Sequence, residues 1–217
     1  MARMNKGLFG GFSGKLGNLV GYTLNGKAVI RTKGTSNKPP TIPQLAVRQM
    51  IKLLNRALKP MLPVINIGFL LEVKNTDKNA FNEAISYNFH NACMGAYPNI
   101  GIDYSKLLVS KGMLPPAYDA SVSIQPGGLE FTWSLDPMNK GNILNDRAML
   151  LICYLGADDL PLPDESIIYM LIGAQRRACK EFIALAPAYL SRPMVCYLSF
   201  QAEDGKSISN SVMAGKF

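Results

Sequence analysis

No aspartate or glutamate occurs in the first 71 residues of this chain; the first acid is Glu72. The same stretch carries eleven Lys or Arg, whereas residues 72–217 carry twelve basic and fifteen acidic residues, a net of −3. The overall charge of +8 therefore hides a basic front and a mildly acidic remainder. That asymmetry points to an anionic partner for the front: nucleic acid, a membrane surface or the acidic face of another subunit. Histidine is almost missing, with His90 standing alone, and the four cysteines (Cys93, Cys153, Cys179 and Cys196) form no CxxC pair. A zinc site would lack ligands, and no metal or other cofactor is expected. Cys153 and Cys196 fall in apolar runs, where a thiol behaves as a small hydrophobe. A disulfide between them is geometrically conceivable in a sandwich, but a reducing compartment opposes it.

Long apolar runs are absent too. No window resembles the ~18 residues of a membrane span, so no transmembrane helix is expected. The start, MARMNKGLFGGFSG, is basic but its apolar stretch is broken by glycine, which makes a poor secretory signal. The product is expected to be made in the cytosol and kept there at least initially, with a place in a virion or other assembly left open. Catalytic signatures are equally scarce: the chain has no GxSxG, no HExxH and no GxGxxG following a strand pattern. Gly21–Ala28 nearly matches a P-loop, but Ala28 stands where the Mg²⁺-binding hydroxyl belongs and the pattern reads as a hairpin. Asp158-Asp159 and Asp164-Glu165 flank Pro161 and Pro163, so these paired acids read as solvated turn residues and not as an acid–base couple. The expectation is a protein that is not an enzyme and has no identifiable small-molecule substrate.

What is present begins with Gly7–Lys33, which holds six glycines by Gly21. Gly7, Gly10, Gly14, Gly17 and Gly21 would form one stripe on a helix, yet glycine at this density disfavours a helix by about 1 kcal/mol per residue. A looser arm, ordered by contact with something else, is expected there. Leu19–Leu24 and Lys27–Thr32 flank Asn25-Gly26, a strong signal for a two-residue hairpin. Asn37-Lys38-Pro39-Pro40 breaks the chain, and Thr41 with Gln44 fits a capping box. The helix that follows has Val47, Ile51, Leu54, Leu58 and Met61 on one face, with Arg48, Lys52, Arg56 and Lys59 on another.

Val64–Val73 is apolar without a clear period. A second helix is expected after caps at Thr76–Asn79, with a stripe of Phe81, Ile85, Phe89 and Ala92 and a stop at Gly95. Ile102–Val109 reads as a strand, and Pro115-Pro116 as the best domain boundary. Beyond it, alternation at Leu129, Phe131 and Trp133, the runs 148–155 and 194–202, candidates at 166–172 and 180–185, and a last strand near 208–213 after Asp204-Gly205 make about seven short strands. At 217 residues and 48% apolar, the chain can bury a real core. The expected class is α+β: a Gly-rich arm and β-hairpin, a two-helix middle and a C-terminal antiparallel β-sandwich. The domains would be 1–114 and 117–217.

The motifs GKLGNLVGYTLNGKAVIR, NKPPT, NAFNEAISYN, DYSKLLVSKGML, FTW and DGKSISNS together resemble a family of uncharacterised Bacteroidota proteins of similar length. The placing of Trp133 and the YLSFQAEDGKSISNS ending look like fibronectin type III or immunoglobulin-like domains. These resemblances imply an architecture and no assigned activity. The leading expectation is a non-enzymatic structural or assembly protein, of phage or mobile-element origin, that self-associates or docks on a protein partner through its Gly-rich basic N-terminal region. The alternative is a non-specific nucleic-acid-binding protein whose phosphate contacts come from Lys15, Lys27, Arg31, Lys33, Arg48, Lys52, Arg56 and Lys59, with Tyr22 for stacking. Membrane association of residues 7–24 comes third, since interfacial helices favour Leu, Phe and Trp over Gly.

Overall fold

The computed structural model describes residues 3–4, 10–24, 26–34, 38–137, 142–162 and 167–217. Expectations that concern Gly7, Asn25, Asn37, Pro163, Asp164 and Glu165 lie outside the described residues. The chain divides into two compact units, Met1–Thr41 and Ile42–Phe217.

The first unit is an antiparallel sheet of four strands in sequence order: β1 (Arg3–Met4), β2 (Phe12–Leu16), β3 (Leu19–Leu24) and β4 (Lys27–Thr32). The β3–β4 hairpin falls on the residues that its sequence pattern marks, and Gly26 adopts a φ of 76° in the connection. The glycine stripe does not make a helical face. Gly14 and Gly17 take positive φ (114° and 56°) in and after β2, a conformation that glycine adopts without steric cost. Gly21 is needed for a different reason: the Phe12 ring lies against it, and a Cβ there would meet ring carbons at 2.7 Å.

The second unit has three layers. Its middle layer is the antiparallel sheet β10 (Ile167–Met170), β9 (Arg147–Tyr154), β12 (Met194–Gln201), β13 (Val212–Lys216), in that spatial order. β9 and β12 pair over eight residues, from Met194 opposite Tyr154 to Gln201 opposite Arg147. One face presents Leu150, Ile152, Tyr154, Cys196, Leu198 and Phe200 to a second sheet, made of β11 (Lys180–Ala184), β8 (Gly128–Ser134) and β7 (Tyr118–Gln125). Leu129, Phe131 and Trp133 of β8 fill that core from the other side. These seven strands are the C-terminal sandwich that the alternation implied. β7 has no apolar alternation strong enough to signal it, and the last strand lies four residues later than the pattern suggests.

The opposite face of the middle sheet carries Met149, Leu151, Cys153, Val195 and Tyr197 into a second core shared with the helices. These are α1 (Ile42–Leu58), α2 (Leu62–Gly68), α3 (Leu70–Val73) and α4 (Ala80–Asn91), while a short α5 (Pro187–Leu190) precedes β12. α4 starts as expected: the Asn79 side chain accepts from the Asn82 amide at 2.7 Å. Its buried face is one residue out of step with the apolar stripe, running through Ala80, Ala84 and Asn88. Phe81, Ile85 and Phe89 stay half-buried. Asn88 explains the rotation, because it donates to the Ala84 and Leu108 carbonyls and accepts from the Leu108 amide, each at 2.8–2.9 Å. Ile102–Val109 is accordingly not a strand. Only its first residue belongs to one, in the hairpin β5 (Cys93–Ala96) and β6 (Asn99–Ile102), after which an Asp103 turn caps Ser105.

The boundary at Pro115-Pro116 does not separate two units; the division falls after Thr41 instead. Two features tie residues 42–114 to the sandwich. Buried Arg176 donates to the Pro115 carbonyl at 2.8 Å and the Pro116 carbonyl at 3.3 Å, pairs with Asp146 at 3.3 Å and lies 3.8 Å from the Phe200 ring centre. Next to it, Trp133 donates from Nε1 to the Arg176 carbonyl at 2.6 Å. The serines of the DGKSISNS ending form the second tie. Ser211 Oγ accepts from the Val109 amide, Asn210 from Gly112 and Ser209 Oγ from Phe200, while Ser110 Oγ donates to the Ser209 carbonyl. α5 plus the helices and seven sandwich strands confirm the α+β class.

Cys153 and Cys196 face opposite sides of the middle sheet, so no disulfide can join them, and all four cysteines are free. Burial pushes both thiols up to about 12. Cys93 and Cys179 are only half-buried, so a thiol reagent is expected to reach two groups, Cys93 and Cys179, in the native protein. The other two should react only after denaturation; a single phase of four would contradict the placement. A second expectation follows from the shared sheet. Leu150→Ala and Leu151→Ala, on opposite faces of β9, should each cost about 2–5 kcal/mol. Both should shift one common urea transition, whereas a separable helical domain would give L151A its own.

Candidate functional site

Strand register decides which residues of the N-terminal sheet share a face. Lys15 lies opposite Val20, Val20 opposite Arg31, Tyr22 opposite Val29 and Leu24 opposite Lys27. Because side chains alternate along a strand, Lys15, Tyr22, Lys27 and Arg31 all project from one face. Lys33 follows in the same alternation, its amide held by the Asn18 carbonyl at 2.7 Å. The Arg31 guanidinium stands 5.8 Å from the Tyr22 ring centre, within cation–π range. Lys15, Lys27, Arg31 and Lys33 are exposed, and Tyr22 is half-buried. Five of the nine residues singled out from the sequence thus meet on one surface, where basic side chains and one aromatic are interleaved with Val20, Leu24 and Val29 and no acid occurs.

The opposite face is apolar. By the same register it carries Leu16 beside Leu19, Gly14 beside Gly21, and Ile30, with Phe12 folded over Gly21. Leu16 is 60% exposed and Ile30 56%, and Gly21 is the sole buried position among the described residues of this unit. β4 forms one edge of the sheet. Residues 12–24 are therefore strands and not an interfacial amphipathic helix.

Of the remaining four residues, Arg48, Lys52 and Arg56 lie on α1 in the other unit and Lys59 just past its end, and all four are exposed. They are not equivalent: Arg56 is paired with Asp158 at 2.6 Å, which takes it out of the pool of available cations. The Asp158-Asp159 pair is likewise engaged, Asp159 meeting Lys216 at 2.8 Å. Each carboxylate sits on its own surface cation, the opposite of a shared acid–base site. His90 is exposed and packs edge-on against Phe89, ring centres 5.2 Å apart. Among the described residues no group of three His, Cys, Asp or Glu is placed to hold a metal ion, and no helix is long and apolar enough to cross a membrane. The segment that nearly matches a P-loop is the β3–β4 hairpin, so its glycines and Lys27 do not precede a helix N-terminus.

Sequence reasoning missed the apolar groove between α1 and α4. The stripe on α1 was legible, but only Leu54, Ala57 and Leu58 are buried, while Ile42, Val47 and Ile51 remain 69%, 44% and 42% exposed. A stripe that outruns its core is the signal that marks such a groove.

No curated protein matches the chain. A protein-family comparison matches residues 11–215, across both units, and the chain belongs to that family of unknown function, DUF6266.

Proposed function

We propose that this is a non-enzymatic assembly protein that docks on a neighbouring subunit, a second copy or another protein, through its N-terminal sheet. The observation that carries the proposal is the exposure of Leu16, Leu19 and Ile30 on a single-layer sheet. A sheet that stands alone buries little and gains stability only when a second layer or an added strand covers it. The flat apolar face suits sheet-on-sheet packing, and the β4 edge suits strand addition. The fibronectin-like reading of the C-terminal half adds no activity, since such sandwiches host many functions. A phage or mobile-element setting in Bacteroidota belongs to the same proposal and rests on the motif resemblance.

A second reading has its own support. Lys15, Lys27, Arg31 and Lys33 on one face with Tyr22 fit non-specific binding of a nucleic-acid backbone with one stacking position.

Two experiments separate the readings. Light scattering should find full-length protein as an oligomer or complex that falls to monomer in the double variant Leu16→Lys/Ile30→Lys and on removal of residues 1–41. Full-length protein that is monomeric at high concentration, with residues 1–33 protected from protease, would sink the assembly proposal. For nucleic acid, a labelled DNA duplex titrated at several salt concentrations should show affinity falling linearly with log salt, and Lys27→Glu/Arg31→Glu should flatten that slope by about 2. Absence of binding at low salt, or binding indifferent to salt, rules the second reading out.

A further inference from the structure

The groove between α1 and α4 lies within the second unit and includes no residue of the sheet on which the proposed docking rests. Val47 and Ile51 form one wall, four residues apart on α1; Ile85 and Phe89 form the other, four apart on α4. The open hollow between them measures about 330 Å³, and a second of about 400 Å³ continues from Val47 toward Pro43. Two facing ridges with i, i+4 spacing leave a channel into which the ridge of a third helix fits.

The charges around the channel select its occupant. Arg48 and Lys52 stand on α1 beside Val47 and Ile51, one position along from each, and α1 contains no acidic residue. On the far wall Asn82, Ser86 and His90 offer hydrogen-bonding groups, and the one acid on α4, Glu83, is tied to Lys78 at 2.8 Å. The channel is therefore apolar along its floor and positive along one rim.

From this we infer that the α1/α4 groove binds an amphipathic helix of another protein, one that sets an apolar ridge into the channel and places carboxylates against Arg48 and Lys52. Among the described residues a second copy of the chain does not supply such a helix: α1, α2 and α5 carry no acid, and the single acids of α3 and α4, Glu72 and Glu83, are already paired with Lys111 and Lys78. A nucleic acid matches the rim but not the apolar floor. Interface helices of this kind anchor through residues at i, i+4 and i+7, and rim charge contributes selectivity between partners.

The test uses full-length protein and a fluorescein-labelled helical peptide of about eighteen residues, with Leu at i, i+4, i+7 and i+11 and Glu on the flanking positions. A matched peptide carries Lys in place of each Glu. Anisotropy should show the Glu peptide binding at least tenfold more tightly than the Lys peptide, with the gap narrowing as salt is raised. Ile51→Ser should weaken the Glu peptide tenfold or more, and Arg48→Glu/Lys52→Glu should reverse the preference between the peptides. All three positions are exposed, so these variants leave the core intact. Equal binding of the two peptides, no binding of either, indifference to the three substitutions, or displacement by a DNA duplex overturns the inference. So does a lowered solution mass for Ile51→Ser, which would assign the groove to a second copy.

Discussion

The pairing of β9 with β12 is the constraint on which the second unit depends. Both strands are apolar on both faces, so neither face of the sheet they form can be left to water. Fully burying one large aliphatic or aromatic side chain is worth roughly 1.5–3 kcal/mol, and each strand contributes several to either side. One face recruits β8 and β11; the other recruits α1, α2 and α4. The result is helices, sheet and sheet in three layers, with one middle layer common to both cores. Arg176 and the serines of residues 207–211 then close the seams, holding by hydrogen bonds the segments that the apolar cores do not reach.

The first unit follows the opposite rule. Its four strands are short and its residues alternate, so one face is apolar and the other carries the basic residues and Tyr22 among Val20, Leu24 and Val29. Charge keeps the basic face hydrated, whereas Leu16, Leu19 and Ile30 gain nothing from water. A similar incompleteness recurs on α1. Its last turn and a half serves the core, and its earlier turns carry the same stripe out into solvent. Two groups of exposed apolar side chains thus fall in the acid-free first third of the chain, Leu16, Leu19 and Ile30 on the sheet and Ile42, Val47 and Ile51 on α1.

Much of this architecture was legible because the informative residues follow simple periods. Leu129, Phe131 and Trp133 alternate, the β9 and β12 runs are continuous, and Asn25-Gly26 stands between two matched strands. What escaped the sequence depended on individual polar groups. Asn88 turns α4 by one residue because its amide satisfies the Leu108 backbone, and no periodicity encodes that. Pro115-Pro116 carries the composition of a linker, yet a guanidinium sixty residues away in sequence grips its carbonyls. The basic face needed register: Lys15, Tyr22, Lys27 and Arg31 were recognisable as a set, but only β2–β3–β4 pairing puts them on one side. The groove was half visible, since one helix shows the stripe and only packing shows how little of it is used.

The two units also differ in how far the chain must search to build them. Every pairing in the N-terminal sheet joins neighbours in sequence, through connections of a few residues between β2, β3 and β4. β9 must instead find β12 across β10, β11 and α5, and the core it completes needs helices made well before it. Local contacts close quickly and distant ones slowly. During synthesis the N-terminal sheet is complete in sequence long before Met194–Gln201 leaves the ribosome, so the surface proposed for docking is the first part able to take shape.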